Sequence, residues 1–171
     1  MTTSGLPSVL RPIVVDDHAW VLDLNERFVD VLSAMDLERL HYLLNRAAGA
    51  FIIEHEGERA GFVLTFAPGV EYDSVYYRWF SDNLSDFRYL DRVVIDGPFH
   101  RLGLGSRAYA ELEADTGPHC PMTLEVNVDP PNQASLAFHA GRGYREITRL
   151  GNAGKQVALM QRTGETEGSG G

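Results

Sequence analysis

Two glycines one residue apart, Gly103 and Gly105, follow an apolar run and precede a helix-forming stretch. The run is Val93-Val94-Ile95, and the turn is Asp96-Gly97-Pro98-Phe99-His100-Arg101. The helix is expected to open at about Leu104. Such a strand–loop–helix junction leaves several backbone N–H groups unpaired at the helix N-terminus, all aimed the same way. That cradle suits a phosphate or pyrophosphate. Glycine matters there because a side chain would hold the anion off the backbone. The chemistry implied is binding of a nucleotide-like cofactor.

Spacing discriminates between the known phosphate loops. The triphosphate loop needs G-x-x-x-x-G-K-[ST], and no lysine follows either glycine. The dinucleotide fingerprint G-x-G-x-x-G tolerates Ala108 at its third glycine. However, it belongs early in a βαβ unit, and here it lies past mid-chain behind a hairpin pattern.

Carboxylates are the next candidates. Strand alternation puts Tyr89, Asp91 and Val93 on one face, and Thr123, Glu125 and Asn127 on one face of the next strand. Charged residues among apolar strand neighbours seldom lack a reason. Asp91 and Glu125 could take a proton or anchor a cationic group. The competing structural readings pair Asp91 with Arg88 or Arg92, and Glu125 with an arginine across the sheet. His18, His41, His55 and His119 lack metal-ligand spacing, so no metal is expected. The single Cys120 excludes an intrachain disulfide and a cysteine-based zinc site, and reads as a small buried apolar residue.

These residues need a scaffold. The 171 residues are 44% apolar and 23% charged, as expected of one domain with a hydrophobic core. The net charge of −9 argues against a nucleic-acid binder. No run is long enough to cross a membrane and no signal-like segment leads the chain, so a cytoplasmic protein is expected. A lead-in at 1–9 is followed by a strand at 10–15. A helix at 17–32 is capped by Asp16, and a second helix spans 37–47. A hairpin pairs 51–54 with 60–66. Residues 67–84 are irregular and rich in aromatics. Then come a strand at 87–95, a helix at 104–114, a strand at 123–128, a helix at 132–140, and strands at 144–148 and 156–160. A Gly-, Ser-, Thr- and Glu-rich tail at 163–171 reads as disordered. The order is β-αα-ββ-β-α-β-α-β-β, an α/β or α+β domain.

The segment His100-Arg101-Leu102-Gly103-Leu104-Gly105 resembles the acetyl-CoA loop of the Gcn5-related N-acetyltransferase (GNAT) superfamily, Gln/Arg-x-x-Gly-x-Gly/Ala. His100 stands at the Gln/Arg position and Arg101 where a glycine is frequent. A second segment resembles the later motif Asn-x-x-Ala-x-x-Leu-Tyr-x-x-x-Gly-Phe. It runs from Asn132 through Ser135, Leu136, Phe138 and His139 to Gly143-Tyr144. The resemblance covers about residues 10–161. It implies a single GNAT-like domain at 10–162 with a central mixed, mostly antiparallel sheet flanked by helices.

What the resemblance implies is acetyl transfer from acetyl-CoA, as cosubstrate, to a primary amine; the acceptor expected is a small molecule, with a peptide N-terminus or lysine as the second reading. Val93, Val94 and Ile95 would present backbone to the pantetheine arm and the carbonyl oxyanion. His100, Arg101, Leu102, Gly103, Leu104, Gly105 and Ser106 would hold the pyrophosphate, with Arg107 as added charge. Asn132, Ser135 and Phe138 would complete the cofactor contacts. His139 replaces the family's proton-donating Tyr, so it is expected to protonate the leaving thiolate. Its alternative role is packing beside Phe138. Glu125 or Asp91 would deprotonate the amine. Asn25, Glu26, Phe28, Tyr72, Tyr76, Tyr77, Trp79 and Phe80 would line the acceptor side, although core or homodimer packing is an equal reading for the aromatics. The competing functions are a non-catalytic acyl-CoA sensor on the same fold, or transfer of a longer acyl group.

Overall fold

A computed structural model describes residues 7–163. The expected tail and most of the expected lead-in lie outside them. The strands are β1 (Leu10–Pro12), β2 (Gly49–His55), β3 (Glu58–Phe66), β4 (Arg88–Ile95), β5 (Met122–Asp129), β6 (Arg145–Asn152) and β7 (Lys155–Arg162). The helices are α1 (His18–Arg27), α2 (Leu37–Arg46), α3 (Val75–Asn83), α4 (Leu104–Thr116) and α5 (Gln133–Gly141). The seven strands form one mixed sheet in the order β1-β2-β3-β4-β5-β7-β6. β4 and β5 pair in parallel through Arg88↔Met122 and Tyr89↔Thr123. The pairs β1–β2, β2–β3, β5–β7 and β6–β7 are antiparallel.

Packing divides the chain into two compact units. Among the described residues, one comprises 7–65 with Asp91–Leu112, and the other Phe66–Leu90 with 113–163. In the first, Val9, Ile53, Ala60, Leu104 and Ala108 are buried together, with Val93, Ile95 and Phe99 against them. The packed chain therefore begins before Leu10: the Val9 N–H donates to Glu111 Oε2 at 2.7 Å. β3 approaches β4 so closely that a Cβ on Gly61 would sit 2.2 Å from the Val94 carbonyl oxygen, which only glycine avoids. In the second unit the core is aromatic, built from Phe66, Tyr72, Tyr77, Phe80, Phe87 and Tyr89.

Three elements differ from the sequence expectation. β1 stops at Pro12 because Asp17 gathers the chain behind it. Asp17 takes the Val14 N–H at 2.9 Å, Arg11 at 2.7 Å and Arg59 at 2.9 Å. A short 3-10 turn at Val15–Asp17 results, so Asp16 does not cap α1. α1 ends at Arg27 rather than Leu32, because the buried Asn25 amide donates to the Ser33 carbonyl at 3.0 Å and draws the chain back. The region expected to be irregular contains α3. Its N-cap is Ser74, whose hydroxyl accepts the Tyr77 N–H at 3.2 Å, and Tyr77 and Phe80 are its buried side.

Candidate active site

The loop expected to hold phosphate lies in the first unit. A 3-10 turn at Gly97–Phe99 leaves β4, with Phe99 N–H bonded to the Asp96 carbonyl at 2.9 Å and His100 N–H to the Gly97 carbonyl at 3.1 Å. His100 Nε2 lies 2.7 Å from the Ile95 carbonyl. A carbonyl only accepts, so Nε2 carries the proton and the imidazole closes the loop on itself. Arg27 braces the other side with Nη1 2.7 Å from Asp96 Oδ1. Gly103 has φ +75 and Arg101 φ +67. Both occupy the left-handed region, where a non-glycine residue is strained. Arg107 N–H reaches back to the Gly103 carbonyl at 3.1 Å. Helix geometry then leaves the N–H groups of Leu104, Gly105 and Ser106 ahead of the first i→i−4 bond.

The space over this cradle fits an anion. A Cβ built on Gly103 or Gly105 meets nothing within 4 Å. Arg101, Leu102 and Ser106 are exposed, and the Arg107 guanidinium donates to the Pro7 carbonyl at 2.7 Å. The Phe28 ring stands 6.4 Å from the His100 ring, so this expected acceptor-side residue borders the loop. Val94 is buried, while Val93 and Ile95 are half-buried. Asp91 is engaged: Arg92 Nε is 3.0 Å from its Oδ2, with side-chain exposures of 5% and 8%. Arg92 also donates to Asn25 Oδ1 at 3.0 Å and to the Ser33 carbonyl at 2.8 Å. Asp91 thus compensates a buried guanidinium, which was the structural reading of that residue. Asn25, expected on the acceptor side, is a buried part of the same network.

The second unit carries Glu125, His139 and the later motif. The Tyr89 hydroxyl donates to Glu125 Oε2 at 2.6 Å, and Tyr89 is 0% exposed among the aromatic core rings. The parallel register seats Tyr89 beside Thr123, two residues before Glu125. Burial first, and then the Glu125 charge, push the Tyr76 phenol above its usual pKa, so it stays protonated. Tyr76 and Trp79, one turn apart on α3, are half-buried. Tyr72, Tyr77 and Phe80 belong to the core instead.

His139 is 6% exposed. Its Nδ1 lies 2.7 Å from the Ser135 carbonyl and 3.2 Å from Ser135 Oγ. The carbonyl fixes the proton on Nδ1. Burial, assisted by Arg142, holds the imidazole pKa below its ordinary value despite the Ser135 bond. The ring is therefore neutral at pH 7 and its one N–H is spent inside α5. In this state the N–H that a thiolate would need is the one bonded to the Ser135 carbonyl. Asn132 Oδ1 caps α5 by accepting the Ser135 N–H at 3.1 Å. Phe138 meets the His139 ring edge-on at 5.2 Å. Cys120 is half-buried rather than buried, with burial and Asp86 raising its thiol pKa. Among the described residues no group of three or more His, Cys, Asp or Glu side chains could hold a metal ion. No helix there is long and apolar enough to cross a membrane.

The family model for the acetyltransferase (GNAT) family matches residues 17–144. The chain belongs to the GNAT family. It is an acetyltransferase, and the non-catalytic sensor is set aside. No curated protein matches its sequence. Solved structures share the GNAT fold at low identity. The ribosomal-protein-alanine N-acetyltransferase of Brucella melitensis is 21% identical, covering 90% of this chain and 98% of that one, with TM-score 0.64. The ribosomal-protein-S18-alanine N-acetyltransferase of Escherichia coli is 16% identical over 94% and 96%, with TM-score 0.63. Arabidopsis thaliana NAA60, solved with acetyl-CoA, is 16% identical over 90% and 98%, with TM-score 0.65.

Two contributors in this GNAT chain escape sequence reasoning. Tyr89 shares a strand face with Asp91, and only the parallel β4–β5 register reveals its bond to Glu125. Arg27 reaches the loop through Asp96, 69 positions away, which no local pattern signals.

Proposed function

We propose that this GNAT acetyltransferase transfers acetyl from acetyl-CoA to a primary amine on a small molecule, with Glu125 as the base. The observation that carries the base assignment is the Tyr89–Glu125 bond at 2.6 Å. It fixes one carboxylate oxygen and leaves the group oriented, whereas Asp91 is committed to Arg92. Acetyl-CoA supplies an activated thioester. The N–H groups of Leu104, Gly105 and Ser106 hold its pyrophosphate, with Gly103 shaping the turn and Arg101 adding charge. Val93 to Ile95 pair through main chain with the pantetheine arm, and a Val94 or Ile95 N–H meets the carbonyl oxyanion. Asn132 shapes the start of α5, where Ser135 and Phe138 contact the cofactor.

Glu125 takes the proton of the incoming ammonium, directly or through one water. The amine nitrogen then bonds to the carbonyl carbon, the C–S bond breaks, the nitrogen gives up its second proton to solvent as the amide forms, and the thiolate takes up a proton from solvent. A thiol pKa near ~8.5 makes acid help at departure modest. His139, neutral and bonded within α5, serves to position the helix. Tyr76 and Trp79 present an aromatic surface to the cationic acceptor.

A thiol-release assay over a panel of small amines and N-terminal peptides tests this reading. Glu125→Gln is expected to lower kcat about 100-fold or more with CoA affinity unchanged. Tyr89→Phe, which keeps the ring in its aromatic core, should move the acid limb of the rate profile to higher pH. Unchanged turnover in Glu125→Gln removes the base assignment, and turnover confined to peptides replaces the small-molecule acceptor.

A further inference from the structure

An open cavity of about 400 Å³ lies at the start of β6 and the end of β7, lined by Arg142, Arg145, Glu146, Gln161, Arg162 and Thr163 among others. All of its lining belongs to the second unit. The strand register pairs Arg145 with Gln161, so these two stand side by side on one face of the sheet.

Charge here runs against that of the whole chain. Arg142 and Arg162 converge on one buried carboxylate, Glu113. Arg142 Nη2 is 2.5 Å from Oε1 and Arg162 Nε is 3.8 Å from Oε2. The Tyr144 hydroxyl holds the same carboxylate at 2.9 Å, and Arg162 Nε donates to the Arg142 carbonyl at 3.0 Å. Two guanidiniums are thus locked in place by a single negative charge. The lining carboxylate, Glu146, is taken by Arg149. Arg145 is exposed and has no carboxylate partner among the described residues. Among the described residues, four arginines are thus grouped here with two carboxylates, on a chain whose net charge is −9.

We propose that this cavity binds an oxyanion, a phosphate or a carboxylate, with Arg145 as its principal contact. Arg142 and Arg162 form the fixed positive wall. A guanidinium presents paired donors that match the oxygens of either group, and the Gln161 amide and Thr163 hydroxyl add neutral donors. Bracing by Glu113 matters because it spares two long side chains the entropy of being ordered on binding.

Arginine-resolved ¹H–¹⁵N NMR of the full chain tests this, with inorganic phosphate and succinate titrated separately at constant ionic strength. The Nε–H signals of Arg145, Arg142 and Arg162 should shift together and saturate. Saturation by one probe alone identifies the preferred oxyanion. Arg145→Gln, an exposed substitution, should weaken saturation at Arg142 and Arg162 at least tenfold while Arg101 and Arg107 respond as before. Linear, unsaturated shifts, or equal affinity in Arg145→Gln, would overturn the proposal. Phosphate also tests the separate loop at Arg101 and Arg107, so failure there and failure here read out on different signals.

Discussion

At Arg101 a backbone cost stands against the charge that the proposed function assigns to this residue. Its φ of +67 belongs to the region that glycine occupies without penalty. Arg101→Gly should raise stability by about 1 kcal/mol in denaturant melts. The same change removes a cation beside the pyrophosphate cradle, so the Kd for CoA should rise several-fold in calorimetry. A gain in stability with an unchanged or lower Kd would show that the guanidinium has no part in cofactor binding. His139 is the converse case, a residue type suited to catalysis but held in a structural setting. His139→Gln should keep kcat within about threefold of wild type, because acid help to a thiolate is modest. A loss beyond about a hundredfold, without loss of fold, would return the donor role to His139.

At the scale of elements, α3 carries Tyr76, whose phenol feels the Glu125 charge that the proposed function uses. Ser74 caps it, and removing a cap costs about 1 kcal/mol of helix stability. Ser74→Ala should therefore raise KM for the amine more than KM for acetyl-CoA, since Tyr76 and Trp79 ride on this helix. Equal changes in both constants would detach α3 from the acceptor. The same helix marks where the sequence was hard to read. Tyr72, Tyr76, Tyr77, Trp79 and Phe80 crowd both faces of the segment, so no clean period of 3.6 emerges. The Ser74 cap was its one local signal. The glycine loop was legible because its geometry is local, two glycines between a strand and a helix. Glu125 was legible as a charge among apolar strand residues, but Tyr89 was not. Its role depends on the parallel register between two strands that are 34 residues apart at Arg88 and Met122. Asp91 carried the same strand signal as Glu125. Only the contact with Arg92, itself tied to Asn25 and Ser33, marks Asp91 as a charge partner and leaves Glu125 as the proposed base.

Across the whole molecule, acid should act in two stages. The His139 pKa is lowered by burial, so the folded state binds its proton less readily than the unfolded chain. Stability falls as pH drops below the unfolded histidine value of about 6.5. The Asp17 pKa is lowered chiefly by its bond to Arg11, assisted by the Val14 N–H and Arg59. Its contribution is complete above the unfolded aspartate value of about 3.9 and is lost as pH falls further. Thermal melts from pH 7.5 to 2.5 should show both losses, and Asp17→Asn should remove the lower one. A single transition unaffected by that substitution would count against the assignment. The strained loop also bears on how this chain can change over generations. Every arginine codon lies a single base change from a glycine codon, and glycine would relieve the backbone at position 101. Were folding the only pressure, that easy step would favour glycine. The guanidinium at position 101 therefore carries a folding cost that one base change would remove.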